Sequence, residues 1–175
     1  MRLTILSVFL LLIAVTVFTA CNNQPSTVAK EPGSATTPSP SANYLRMKIN
    51  GKDWVADHEL TGIVHPKGYN KAILIGGTKG PKDKYEQSFN LNLYNCNGEG
   101  DYIIESGNKD LSEVQLGNLS EAHYLYGNVL GFRMRVKISK ATKSPVALEA
   151  SFEGEMTGNA GDIIKVTDGK FLYHE

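Results

Sequence analysis

The side chains able to do chemistry are few and scattered. The four histidines, His58, His65, His123 and His174, never stand two or four residues from one another, so no strand or helix presents a ready pair of metal ligands. Asp53, Asp57, His58 and Glu59 crowd one short stretch, with His65 close enough in sequence to join them. Carboxylates beside imidazole are donors for zinc or calcium. The same residues also suit a solvated loop, which is the reading preferred here, with no metal and no cofactor expected. Cys96 lacks a neighbouring histidine or basic residue to lower its thiol pKa, and is read as structural. Asp101 and Glu105 would make an acid–base pair only if the fold brought them together, and Glu105 reads more simply as a strand-end charge. Gly-x-Ser-x-Gly, a Gly-rich phosphate loop and Cys-x-x-Cys are all absent from the sequence. Catalysis is therefore not expected, and catalytic residues are assigned to none of these positions.

A binding face is the alternative use of such a surface. Tyr69, Tyr85 and Tyr94, with Asn90 and Asn92 nearby, would supply stacking and hydrogen bonding to a glycan or small ligand. Half-buried aromatics on strands and loops are the commoner role for such residues. Trp54 reads as a core anchor in the same way.

The N-terminus says where the chain is carried. Arg2 is the only charge before an apolar run from Ile5 to Val17, broken by Ser7 and Thr16 alone. A basic start, an apolar run and small residues before a cut site form a secretory signal. The run falls short of the roughly 20 apolar residues a membrane-spanning helix needs, and Asn22-Asn23 follows with no basic stop-transfer flank. Thr19-Ala20-Cys21 resembles the bacterial lipobox, with Phe18 standing where Leu or Val is usual. That resemblance implies removal of residues 1–20, a diacylglycerol on Cys21, and a protein held in the bacterial cell envelope by several acyl chains. Asn22 stands where many inner-membrane lipoproteins carry Asp, so the resemblance favours the outer membrane.

From Cys21 to residue 43 the chain is mostly Ser, Thr, Pro, Asn, Ala and Gly, with Lys30 and Glu31 its only charges. Such a composition predicts a disordered tether. At about 22 residues its root-mean-square span is about 25 Å if flexible. The remainder, residues 44–175, is long enough for one domain with a real core. A formal net charge of zero argues against a nucleic-acid partner. With Cys21 lipidated, only Cys96 of the two cysteines is left, so the domain must stand without a disulfide.

Beyond Tyr44 the pattern has period two. Leu45, Met47 and Ile49 alternate with Arg46 and Lys48, then Asn50-Gly51 predicts a type I′ hairpin that sets Met47 opposite Trp54. Strands are expected over Thr61 to His65, Lys71 to Ile75 with Gly76-Gly77 as its end, Phe89 to Tyr94, Asp101 to Ile104 and Ala122 to Tyr126. Leu111 to Leu119 has a helical look over one or two turns. Phe132, Met134, Val136 and Ile138 share one face, with Arg133, Arg135 and Lys137 on the other; Leu148, Ala150 and Phe152 alternate with Glu149, Ser151 and Glu153. A five-residue loop from Ala141 to Pro145 would place Lys137 opposite Glu149 and Arg133 opposite Glu153, making the basic row half of a charge ladder. The last strand changes parity between Val166 and Phe171, so a bulge is expected at Asp168-Gly169. Together these predict an all-β fold: an antiparallel β-sandwich of roughly eight to ten short strands, with an antiparallel barrel as the alternative.

Met47-Lys48-Ile49-Asn50-Gly51-Lys52-Asp53-Trp54, Gly98-Glu99-Gly100-Asp101-Tyr102, Phe152-Glu153-Gly154 and the closing Thr167-Asp168-Gly169-Lys170-Phe171, behind a lipobox and a Ser/Thr/Pro tether, resemble a group of small bacterial lipoproteins of unknown function. The resemblance implies an envelope β-domain and carries no catalytic residue with it. The functional expectation is a non-catalytic, membrane-tethered module that binds a small ligand, a glycan or an envelope protein. A structural subunit of an envelope assembly is the alternative, with a hydrolytic enzyme behind both.

Overall fold

The computed structural model describes residues 42–65 and 71–175. Cys21, the apolar leader, the tether up to residue 41 and Tyr69 lie outside the described residues. Eleven strands follow one another: β1 (Tyr44–Ile49), β2 (Lys52–Val55), β3 (His58–His65), β4 (Ala72–Lys79), β5 (Gln87–Tyr94), β6 (Gly100–Glu105), β7 (Glu113–Gly117), β8 (Leu125–Gly127), β9 (Phe132–Lys143), β10 (Val146–Thr157) and β11 (Ile163–His174). They form a large sheet in the order β2-β1-β11-β10-β9-β6 and a small one in the order β3-β4-β5-β7-β8. All pairings are antiparallel. The fold is a β-sandwich, not a closed barrel, and its last three strands run to twelve residues each, longer than the short strands expected.

One edge of the small sheet, β3, packs against β9, β10 and β11. The opposite edge, β8, meets the far end of β10 through a bridge between Tyr126 and Gly158. The inner faces of both sheets fill a single core. The chain enters this body at Asn43, whose side-chain amide donates to the His174 carbonyl at 3.0 Å and accepts from the His174 N–H at 2.8 Å.

The opening hairpin forms as its sequence requires. Asn50 and Gly51 take φ of 49° and 78°, the two positive values of a type I′ turn, and Met47 faces Trp54. The bulge in β11 is also present. Phe152 pairs with Gly169 and Gly154 with Val166, leaving Glu153 opposite two residues, and Asp168 has φ 54°. Only glycine fits at 169, because a Cβ there would stand 2.4 Å from both the Phe152 carbonyl oxygen and Cδ2 of its ring.

Four expectations need correction. Gly76-Gly77 does not end β4 but lies inside it. A Cβ on Gly77 would come within 2.9 Å of the Ala56 side chain and 3.0 Å of Leu45, so the glycine marks close packing of the two sheets. The stretch around Leu111 to Leu119 is not helical: β7 pairs with β5, setting Val114 against Leu91 and Leu116 against Phe89, all fully buried. Period-two burial against a neighbouring strand overrides the local look. The strand expected over Ala122 to Tyr126 shrinks to β8; Tyr126 is buried, whereas Tyr124 precedes the strand and is 58% exposed.

The β9–β10 faces are as read, but the partners differ. The strands continue through Lys143 and Val146 to a tight turn at Ser144-Pro145, where a five-residue loop was expected. A register shift at Ser139 then sets Arg135 opposite Glu153, Arg133 opposite Glu155 and Lys137 opposite Ser151, while Glu149 faces Lys140. A two-residue offset leaves every side chain on its own face, so periodicity alone could not detect it. A double-mutant cycle follows from this register. Reversal of Arg135 and Glu153 couples by about 0.2–1 kcal/mol in urea unfolding, while reversal of Lys137 and Glu149 is additive. Coupling in the second pair and none in the first would contradict the pairing.

Candidate functional site

The cross-strand pairing carries a pattern that no single strand displays. On the outer face of the large sheet, Glu105, Arg133, Glu155 and Lys165 occupy one row across β6, β9, β10 and β11, and their charges alternate. The next row holds Ile103, Arg135 and Glu153. These side chains wall a groove of about 400 Å³. Its floor is main chain, the row of Met134, Gly154 and Val166, where Gly154 has no side chain and the other two turn theirs into the core.

The groove's cations are held loosely. Arg133 Nε stands 3.7 Å from Glu105 Oε2, and Arg135 Nη1 stands 4.0 Å from Glu153 Oε1; the two arginine side chains are 73% and 70% exposed. Pairs this open contribute little to stability. Their planar forks therefore keep donors free for a carboxylate, a phosphate or a sugar hydroxyl. Ile103, 61% exposed, adds an apolar flank. No histidine, cysteine or serine lines the groove among the described residues. What it offers is charge, hydrogen bonding, including the Thr167 hydroxyl, and a patch of apolar contact.

The acidic–histidine stretch after the first hairpin folds into a stitched corner. His58 bridges two carboxylates, with Nε2 2.5 Å from Glu86 Oε1 and Nδ1 bonded to Asp57. Asp57 also accepts from the Gly80 N–H at 3.0 Å, and Lys82 pairs with Glu59 at 2.8 Å. These bonds fasten the loop between β4 and β5 to the start of β3. Asp53 lies on β2 and His65 at the far end of β3, so the sequence cluster is dispersed. Among the described residues no three of His, Cys, Asp and Glu are placed to share a metal ion. Glu86, the partner that completes the corner, was not singled out in the sequence because it lies in a different loop.

A second polar network was also invisible in the sequence. Buried Tyr126 donates its hydroxyl to Asp162 Oδ2 at 2.7 Å, and His123 Nδ1 lies 2.9 Å from that hydroxyl and 3.2 Å from Asp162 Oδ1. Burial and the Asp162 carboxylate hold the phenol far above its ordinary range, and the hydroxyl in turn lowers the Asp162 pKa. Asn159 binds the main chain of Leu125 and Ala122 from the same turn. The group pins the β10–β11 turn to β8.

The remaining candidates disperse. Cys96 is buried, 3.8 Å from the Leu93 carbonyl, and burial pushes its thiol up. Asp101 and Glu105 face the same side of β6 four residues apart, about 13 Å at strand rise and beyond the roughly 5–9.5 Å of a glycosidase pair. Tyr85 is 51% exposed at the end of its loop with Lys84 Nζ 4.8 Å above its ring, whereas Asn90, Asn92 and Tyr94 lie on β5. Asn92 is already bonded to Glu113 at 3.0 Å. Trp54 is buried, its indole N–H donating to Gln87 Oε1 at 2.8 Å. Comparison of the chain with protein-family models, with curated proteins and with solved structures gives no match.

The His58 corner is pH-sensitive with a defined sign. Glu86 and then Asp57 raise the His58 pKa above its ordinary 6.5, so its contribution to stability is full below about pH 6.5 and is lost as pH rises through the folded value. Asp57 is lowered from 3.8, chiefly by the Gly80 N–H, and so contributes above about pH 4. His58→Gln is therefore expected to lower Tm more at pH 6 than at pH 9. A decrement that is equal at both pH values, or larger at pH 9, would contradict the bridged imidazolium.

Proposed function

We propose that the protein is an envelope lipoprotein, anchored through Cys21 with the outer membrane favoured, whose non-catalytic β-sandwich binds its target in the groove on the outer face of the large sheet. The observation that carries this reading is the groove itself: loosely held guanidinium groups and carboxylates around an exposed isoleucine. Its position supports the same reading. The chain enters at Asn43, beside His174, while Lys165 sits at the other end of β1, its N–H donating to Asn50 Oδ1 at 2.8 Å. The six residues of β1 separate the two ends by about 20 Å. A tether attached at Asn43 would thus join the domain at the end of β1 opposite the groove. Exposed charge and hydrogen-bond donors suit a small anionic ligand, a glycan or a polar protein surface. A structural subunit of an envelope assembly would use the same outer face.

One experiment with two readouts tests the proposal. Cys21→Ser in the full chain is expected to move the protein from the membrane to the soluble fraction; retention at the membrane would contradict the anchor. Native mass spectrometry of that soluble form, after incubation with a host envelope extract, is expected to reveal a discrete adduct that disappears in the Arg133→Glu/Arg135→Glu variant. An adduct indifferent to those substitutions would place binding elsewhere.

A further inference from the structure

Four strands edge the two sheets, and three of them are poor templates for another strand. β2 has four residues and carries Lys52 and Asp53. β8 has three, and its outer side is already taken by Gly158 and by the Asn159 N–H bonded to the Leu125 carbonyl. β3 is interrupted by a register shift between His58 and Thr61. Short length, charge and bulges are the usual protections of a sheet edge.

β6 has none of these in its middle. It pairs with β9 over six residues without a shift and contains neither proline nor lysine. Just past its end the Ser106 N–H bonds to the Phe132 carbonyl at 3.0 Å, continuing the same register. Residues alternate along an antiparallel ladder between pointing both main-chain groups at the partner and pointing both away. Tyr102 and Ile104 therefore face β9, while Asp101 and Ile103 direct N–H and C=O outward. The Glu105 carbonyl is occupied by Asn108, through its N–H at 3.1 Å and its side-chain amide at 2.7 Å.

We infer that β6 receives a strand from a partner protein, one carrying a basic residue opposite Asp101, an apolar one opposite Ile103 and a basic one opposite Glu105. The rows of the sheet specify that pattern. Lys165, Glu155, Arg133 and Glu105 alternate in sign, so the next position outward calls for a cation. In the row through Lys137, Asp101 likewise faces outward as the last charge. Between them Ile103 leaves 61% of its surface uncovered, which an apolar neighbour would bury. The two intervening positions would lie beside inward-facing Tyr102 and Ile104 and are apolar as well. A second copy fits badly: antiparallel self-pairing along the full strand, Ile103 to Ile103, sets Asp101 against Glu105 twice, and like charges directly opposed are destabilising.

This inference rests on the reading of the domain as a binding module, but places a protein partner at the edge beside the groove. The test uses the full-length lipoprotein in detergent and the capped peptide Thr-Lys-Val-Ile-Val-Lys-Thr, with a companion in which both Lys are Glu. Fluorescence anisotropy is expected to give about tenfold tighter binding of the Lys peptide, with the order inverted in Asp101→Lys/Glu105→Lys. Hydrogen exchange at the amides of Asp101, Ile103 and Glu105 should slow on binding. Equal affinity for both peptides, or protection elsewhere, would overturn the inference. So would a dimer in sedimentation that Asp101→Lys dissolves, which would make a second copy the occupant. Unchanged edge exchange while the groove takes an envelope ligand would overturn strand pairing and leave the groove reading intact.

Discussion

An aromatic contact joins the two sheets within their shared core. Phe89 of the small sheet stacks on Phe152 of the large one, centroids 5.2 Å apart and planes within 12°, and Trp54 tilts against Phe89 at 6.2 Å. Each such pair is worth about 0.5–1.5 kcal/mol beyond its buried area, and each ring contributes about 1.5–3 kcal/mol by burial. The stack depends on a backbone irregularity. Phe152 lies over Gly169, and the bulge at Asp168 puts a residue without a side chain at that point in the strand. Cys96 is a free, buried thiol, so this core carries the cohesion a disulfide would otherwise share.

A core filled from both inner faces leaves the outer face of the large sheet with no packing duty. Its side chains are sorted by cross-strand charge, and the sorting is dense at the β6 side, where loosely paired arginines, Ile103 and the uncovered strand edge adjoin. The opposite corner is fastened by His58 and the far turn by Tyr126 and Asp162. Polar networks at those two places are closed on themselves, with every member engaged by another protein group. The groove and its neighbouring edge present groups whose bonding capacity is not already used.

Much of the fold was legible because period-two burial is a local signal. The Asn50-Gly51 turn, the faces of β9 and β10 and the parity change in β11 were all written in adjacent residues. What required the structure was relational. The β9–β10 register slipped by two without disturbing either face. Gly77 looked like a strand end and is a packing contact, because the atoms that demand glycine come from Ala56 and Leu45. The groove was not read from the sequence: Arg133 and Arg135 were placed in one row but taken as half of a charge ladder, and Lys165 and Ile103 join them only through pairings across four strands. Glu86 and Asp162 were missed for the same reason, each lying far along the chain from the histidine it meets. The proposed lipid anchor at Cys21 is an inference from the sequence.

The central claim is that the outer face of the large sheet near β6 is where this domain meets its target. Amide chemical-shift mapping of the full-length protein during titration with envelope extract tests that most directly. The account predicts perturbations grouped on Ile103, Arg133, Arg135, Glu153 and Lys165. Perturbations confined to the loop around Tyr85, or to Asn90 and Asn92 on β5, would contradict it and move the binding face to the small sheet.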